Sequence, residues 1–520
     1  MKKLLSAALV LSMGVTALAG CNVSAQGESQ GETQPVQTTV MANTDQALKA
    51  PKYVFLFIGD GMSYPQIQST SDYLGALKDA DYWQAQPSLD DNQGAILDGP
   101  EYLNFMNFEA AGSAVTYDSN SFAPDSASTA TSISTGHKTY SGTINMDETM
   151  TVKYETIAEQ LRDEGYDIGV ITSVNLNHAT PAAFYCHQAS RNNYYEIGQE
   201  MVASDFDYFA GGALLDPEGE NGDQVSVYDL AEDAGYKVVT TQAEAEKVSA
   251  EDEKVVIVGE TLADSDSLSY ENDRANGEWA LSDYVSKGIE VLEDNDKGFF
   301  MMVEGGKIDW ACHANDAGST INDTIALADA VDEAVAFANE HPDETLILVT
   351  GDHETGGLTI GYAGTDYDTY LTNLSNQKIS YAKFDSDYVT KYKAEQTPFE
   401  TMMQDVEELF GLKMSGDADD KLVLTEYEIG LLRDAYAKTL ADEKADENNQ
   451  EEYVLYGTYE PLSVTITHLL NNKSGIDFSS YAHTGLPVAV FAQGVGQENF
   501  GGFYDNTDIY HKLADLMDIQ

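Results

Sequence analysis

Residues 53–61 read YVFLFIGDG, six apolar residues in a row followed by Gly59-Asp60-Gly61. Alternation would mark a strand with one wet face. A short unbroken run closed by glycine and aspartate suits a strand buried on both faces. The pattern recurs at 166–172 (YDIGVIT), 299–303 (FFMMV), 346–350 (LILVT) and 486–491 (LPVAVF). Helical patterns lie between the runs. They are clearest at 154–164 and at 320–339, where Leu327, Val331, Ala334, Val335 and Ala338 form one stripe. Strands alternating with helices predict an α/β domain, a mostly parallel central sheet with helices on both faces.

Working outward, residues 360–460 interrupt this pattern. They are rich in Tyr, Asp, Lys and Glu and lack a clear buried strand, with amphipathic helices expected near 398–411 and 424–438. This segment reads as an insertion on the surface of the main domain. Asp417, Asp419 and Glu428 have part of a calcium-loop spacing, but Lys421 and Leu422 occupy its fifth and sixth positions and argue against it. At the other end, residues 1–21 combine Lys2 and Lys3 with an apolar run and then small residues. Leu18-Ala19-Gly20-Cys21 resembles the lipobox of bacterial lipoproteins, which implies lipidation at Cys21, export and anchoring in the cell envelope. Residues 22–48, polar and without aromatics, read as a flexible tether to a body spanning 49–520.

The 520 residues include 88 acidic and 27 basic side chains, a formal net charge of −61. Such a polyanion repels nucleic acid and anionic membranes, so nucleic-acid binding is not expected. An anionic substrate would need a locally positive site built from metal ions or a placed arginine. Of the three cysteines, Cys21 belongs to the leader, and Cys186 and Cys312 are expected as free thiols.

Acidic side chains and histidines gather where the apolar runs end, which is where open α/β sheets bind ligands. Asp60 follows the first run, Glu304 follows FFMMV, and Asp352-His353 follow LILVT. Asp309 and His313 are four apart, so one helical turn puts them on one face. His483 precedes the last run. Mixed Asp and His donors suit zinc, and Asp, Glu and Thr oxygens suit magnesium. In PDSASTATSISTG (124–136), Ser126 follows Asp125 and opens a small-residue helix. That would set its hydroxyl at a helix N-terminus, where an anion is favoured. The alternative for Ser126 is a plain helix cap. Gly136-His137-Lys138-Thr139 does not make a P-loop. Arg191 is the nearby guanidinium suited to holding a tetrahedral anion, with a surface ion pair as the alternative.

The set IGDGM, PDSASTAT, HATPAAF…SR, VEGGKIDWACH, TGDHETGG and HTG resembles the bacterial and animal alkaline phosphatases, in order, over roughly 50–515. The resemblance implies a phosphomonoesterase with a phosphoserine intermediate, two zinc ions and one magnesium, commonly dimeric. It implies Ser126 as nucleophile, and Asp60, Asp352 and His353 as ligands of the first zinc. Asp309, His313 and His483 would hold the second zinc, and Asp60, Thr180 and Glu304 the magnesium. Arg191 would clamp phosphate, with Asp125 orienting it. Two positions depart from the enteric bacterial form. His178 stands where that form has an aspartate and Trp310 where it has a lysine. Both would lie just behind the ligands. An imidazole at 178 either stays there or turns in as a nitrogen ligand and makes the third site tolerant of zinc or cobalt. The two rings packing on each other is the plain alternative. Two other readings share part of the pattern: a phosphodiesterase or phosphoglycerate mutase of the same superfold, and a non-catalytic surface lipoprotein.

Overall fold

The computed structural model of the chain describes residues 50–79, 96–417, 419–443 and 448–519. The leader with Cys21 and the tether fall outside these residues. All five apolar runs form strands of one ten-stranded sheet: β1 (Tyr53–Gly59), β3 (Asp167–Asn175), β7 (Phe299–Gly305), β8 (Thr345–Gly351) and β9 (Val488–Gly494). The others are β2 (Ala110–Val115), β4 (Tyr208–Gly212), β5 (Lys237–Val239), β6 (Val255–Val258) and β10 (Gly502–Asp505). Their order is β10-β2-β9-β8-β1-β7-β3-β4-β6-β5. Only β9 runs against its neighbours; the remaining pairings are parallel.

Every residue of β1 is buried. Val54, Leu56 and Ile58 enter one apolar layer, and Tyr53, Phe55 and Phe57 enter the other. Each such side chain contributes about 1.5–3 kcal/mol of transfer free energy, so the doubly buried strand is the spine of the fold. The expected helix at 320–339 is α4 (Ala317–Glu340), opened by the Asp316 side chain accepting from Ser319 N at 3.0 Å. The helix expected at 154–164 begins only at Ile157 and ends at Asp163. Thr156 stops it from starting earlier: its hydroxyl accepts from Glu159 N, and the Glu159 carboxylate accepts from Thr156 N, a reciprocal cap.

The segment after β8 builds its own apolar cluster, with Phe384, Tyr392, Met402, Phe410, Leu432 and Tyr436 packed against Leu462, Ile466 and Leu470 of helix Pro461–Ser474. Helices Phe399–Phe410 and Glu426–Leu440 lie within it. The antiparallel pairing of Leu358–Ile360 with Ile476–Phe478 closes its neck. Among the described residues no helix is long and apolar enough to cross a membrane. Cys186 and Cys312 are free and buried.

Strand register sets up the site. Gly59 lies level with Gly305 on one side and Gly351 on the other. Asp60 and Asp352 therefore leave adjacent strands at the same height, and Glu304 sits one residue lower beside Ile58 and Thr172. The close approach needs a missing side chain, since a Cβ on Gly351 would lie 1.8 Å from the Met62 carbonyl oxygen.

Candidate active site

Ser126 is the first residue of α2 (Ser126–Thr135), and Asp125 is its cap, accepting from Ser128 N at 3.1 Å. The serine is buried beside the end of β1. Its Oγ lies 3.2 Å from His353 Nε2 and 3.4 Å from Asp60 Oδ1. His353 Nε2 is in turn 3.3 Å from Asp60 Oδ1 and 3.2 Å from Asp352 Oδ2. Asp352 also accepts from Gly61 N, His353 N and the Thr129 hydroxyl. Burial first, and then neighbouring carboxylates, push Asp60 well above the usual range, and burial together with Asp309 raises Asp352 to about 7. Crowded buried carboxylates of this kind are relieved by a cation.

The second group forms on α3 (Lys307–His313) and the strand pair beyond it. His313 Nε2 is 3.3 Å from Asp309 Oδ2, His483 Nε2 is 3.6 Å from Asp309 Oδ1, and the two Nε2 atoms are 3.0 Å apart. Their Nδ1 atoms are committed elsewhere: His313 Nδ1 donates to Tyr481 O at 2.6 Å and His483 Nδ1 to Pro124 O at 2.5 Å. Both Nε2 lone pairs therefore face each other and a carboxylate, the arrangement of imidazoles oriented to hold a metal ion. Burial raises Asp309, but the imidazoles outweigh it and hold the carboxyl well below its ordinary value.

The third group brings Asp60, His178 and Glu304 within 4.8 Å of one another. Thr180 joins it by donating to Asp60 Oδ2 at 3.2 Å, and Thr172 bonds one Glu304 oxygen. Glu304 Oε1 and His178 Nδ1 are buried without a hydrogen-bond partner. Burial raises Glu304 to about 7. Among the described residues these three groups are sets whose donors suit a metal ion.

Arg191 closes the floor. It donates to Asp125 Oδ2 at 2.9 Å and to His178 Nε2 at 3.0 Å. Burial and then the Arg191 charge drive the His178 imidazole down to about 3. His178 also meets Trp310 edge-on, with ring centroids 6.1 Å apart. Packing and a place among the third group are thus both present. A cleft of about 460 Å³ opens over this floor, bordered by Ser126, Arg191, Asp309, Trp310, Tyr381 and Tyr459.

Ser126, Asp125, Arg191, His178, Trp310, Thr180 and the Asp, Glu and His residues at the strand ends all meet here. The sequence reading missed four kinds of residue. Thr355 accepts from His353 Nδ1 at 3.2 Å and donates to Asp309 Oδ1 at 2.6 Å, coupling two ligand groups. Thr172 orients Glu304. Lys307 and Asp264 pair behind the cleft. Tyr381 and Tyr459 reach the cleft from the segment after β8. Thr355 lay inside TGDHETGG, so proximity to a ligand was its one signal.

An α/β sheet that gathers a buried serine, an arginine and three groups able to hold metal ions at its strand ends has the parts of a metal-assisted enzyme acting on phosphate esters. The family model for alkaline phosphatase matches residues 51–519, and the chain belongs to the alkaline phosphatase family. Similar relatives are alkaline phosphatase 4 of Bacillus subtilis, 28% identical over 91% of this chain and 90% of that one, and alkaline phosphatase 3 of the same organism, 29% identical over 98% and 95%. A cold-active alkaline phosphatase from Shewanella sp. shares the architecture with a TM-score of 0.69 and 27% identity, covering 89% of this chain and 99% of that one. Of the three readings left open by the sequence, family membership selects the phosphomonoesterase.

Proposed function

We propose that the chain hydrolyses phosphate monoesters through a phosphoserine at Ser126, in a site holding two zinc ions and one magnesium ion. The observation that carries this reading is the set of lone pairs aimed at one place beside Ser126 Oγ: Nε2 of His353 and carboxylate oxygens of Asp60 and Asp352. Asp60, Asp352 and His353 would hold one zinc, Asp309, His313 and His483 the second, and Asp60, Thr180 and Glu304 the magnesium. His178 beside that last group favours tolerance of zinc or cobalt there. When bound, the ions supply the positive charge that lowers hydroxyl and water pKa values and stabilises the leaving oxygen.

The chain's own residues do the rest. Ser126 Oγ attacks phosphorus in line; the bond to the alcohol oxygen breaks, and the alcohol leaves. Water then attacks the phosphoserine, the P–Oγ bond breaks, and inorganic phosphate departs with Ser126 restored. Arg191, anchored by Asp125, donates N–H groups to the phosphate oxygens. The N-terminus of α2 adds its backbone dipole at the same point.

The lipobox at Cys21 supports an exported, membrane-anchored lipoprotein whose only membrane contact is the lipid. The family resemblance supports a homodimer, and sedimentation of the mature protein checks it.

The test compares p-nitrophenyl phosphate with its bis-ester, with metal analysis, in wild type and Ser126→Ala. The monoester should be strongly preferred. Ser126→Ala should lose phosphoenzyme and about 10³-fold or more in rate while keeping most of its zinc. An unchanged rate would remove Ser126 from the nucleophile's role.

A further inference from the structure

Lys307 is a buried cation that no step above uses. Its side chain is fully buried, and its Nζ lies 2.7 Å from Asp264 Oδ1. The ammonium sits 4.0 Å from the Tyr270 ring centroid and 4.7 Å from that of Trp310. The Tyr270 hydroxyl donates to that of Tyr381 at 3.3 Å, and Tyr381 meets Tyr459 edge-on at 5.7 Å. Asp264, Trp310, Tyr381 and Tyr459 all border the cleft above Ser126. One ammonium therefore touches two walls from distant parts of the chain, the turn at 264–266 and helix α3, and reaches the segment after β8 through the Tyr270–Tyr381 hydroxyl bond.

The turn needs such a tie. Ser265 and Asp266 both adopt left-handed backbone, at φ 53° and 58°, a conformation that persists in non-glycine residues only when surroundings impose it. Asn175 Nδ2 donates to Ser265 O at 2.8 Å and Ala213 N to Asp266 O at 2.9 Å. The Ser267 hydroxyl donates to Asp264 O at 2.6 Å, and Lys307 adds an anchor on the Asp264 side chain that leads into the turn. A buried ammonium is expensive to keep when an apolar residue would fill the same space. Here it is kept where cation–π contacts and the Asp264 carboxylate fix the rim of the cleft, with the Asp323 and Asp273 carboxylates adding negative charge nearby.

We propose that Lys307 is a positioning residue for the alcohol side of the substrate, holding Trp310, Tyr381, Tyr459 and the Asp264 turn as a rim that receives flat, apolar leaving groups. This rests on the phosphomonoesterase reading. Aryl phosphates, whose rings pack on tyrosine and tryptophan faces, are the substrate class the rim fits.

The test uses phenyl phosphate and 2-naphthyl phosphate, whose leaving groups are close in acidity and differ in ring area. The wild-type holoenzyme should favour the naphthyl ester in kcat/KM. Lys307→Met should cut that preference by about fivefold, the size of one lost aromatic contact, and do so through KM. The inhibition constant for inorganic phosphate and the zinc content should stay as in wild type. Asp264→Asn, at a partly exposed position, removes the other half of the pair and should give the same loss, so the test stands even where Lys307→Met does not fold. A preference unchanged in either folded variant overturns the proposal. So does a phosphate inhibition constant that moves as far as the preference, which would place Lys307 at the phosphate end. Failure of wild type to hydrolyse either ester would instead sink the underlying reading.

Discussion

At the scale of single residues, Trp310 is the informative departure. It borders the cleft with Arg191, and the Lys307 ammonium lies behind it. A lysine at this position would meet like charge on its buried side, so its own ammonium would turn toward the phosphate. Trp310→Lys should therefore tighten inhibition by inorganic phosphate by about fivefold, one charge-assisted contact, with metals still bound. Weaker or unchanged phosphate inhibition would show that the aromatic ring, not the missing charge, governs release. The residues of the candidate metal groups were legible in the sequence, because Asp60, Glu304, Asp352 and His353 each sit at the end of an apolar run. Lys307 was not. Its neighbours Tyr270, Asp264 and Tyr381 are brought to it by folding, and no spacing along the chain announces such a meeting.

Among the elements, the short stretch that leads into Arg191 is held by an imidazole. His187 Nε2 lies 3.3 Å from Glu159 and 2.9 Å from Tyr154 O, and Nδ1 lies 3.8 Å from Glu200. Its backbone N–H donates to Glu200 as well. Burial alone would lower this imidazole, but Glu159 and Glu200 overcome it and raise it to about 9. A folded pKa raised above the unfolded value stabilises the protein fully below about pH 6.5, and that contribution fades as pH climbs through about 9. About 3 kcal/mol is at stake by this linkage. Thermal stability should fall between pH 7 and pH 10, and His187→Gln should lack that part of the decline. Equal pH dependence in both proteins would contradict the assignment. The strands tell a related story about legibility. β1, β3, β7, β8 and β9 declared themselves by continuous apolar runs, whereas β2 reads AAGSAV and carries no such signal. It is small-residued for a packing reason, because a Cβ on Gly112 would lie 2.2 Å from Phe500 O. Short strands such as β4 and β5 owe their place to neighbours more than to their own sequence.

Over the whole molecule, the net charge of −61 sets how an anion approaches. Loaded with the proposed metal ions, the site would be a small positive spot in a strongly negative field, so screening should help and not hinder encounter. Raising sodium chloride from low to physiological levels should increase kcat/KM for an anionic monoester and raise the melting temperature by easing self-repulsion. A fall in kcat/KM with salt would mean that the site steers substrate despite the surrounding charge. The sheet order carries one more consequence. β9 lies between β8 and β2 and pairs with both, and His483 precedes it by only a few residues. A chain made from its N-terminus thus holds Asp60 and Ser126 for most of its synthesis, and Asp352 for the last part of it, without the strand that joins β2 to the rest of the sheet. Hydrolytic competence arrives with the tail of the polypeptide, so a growing chain is a silent one.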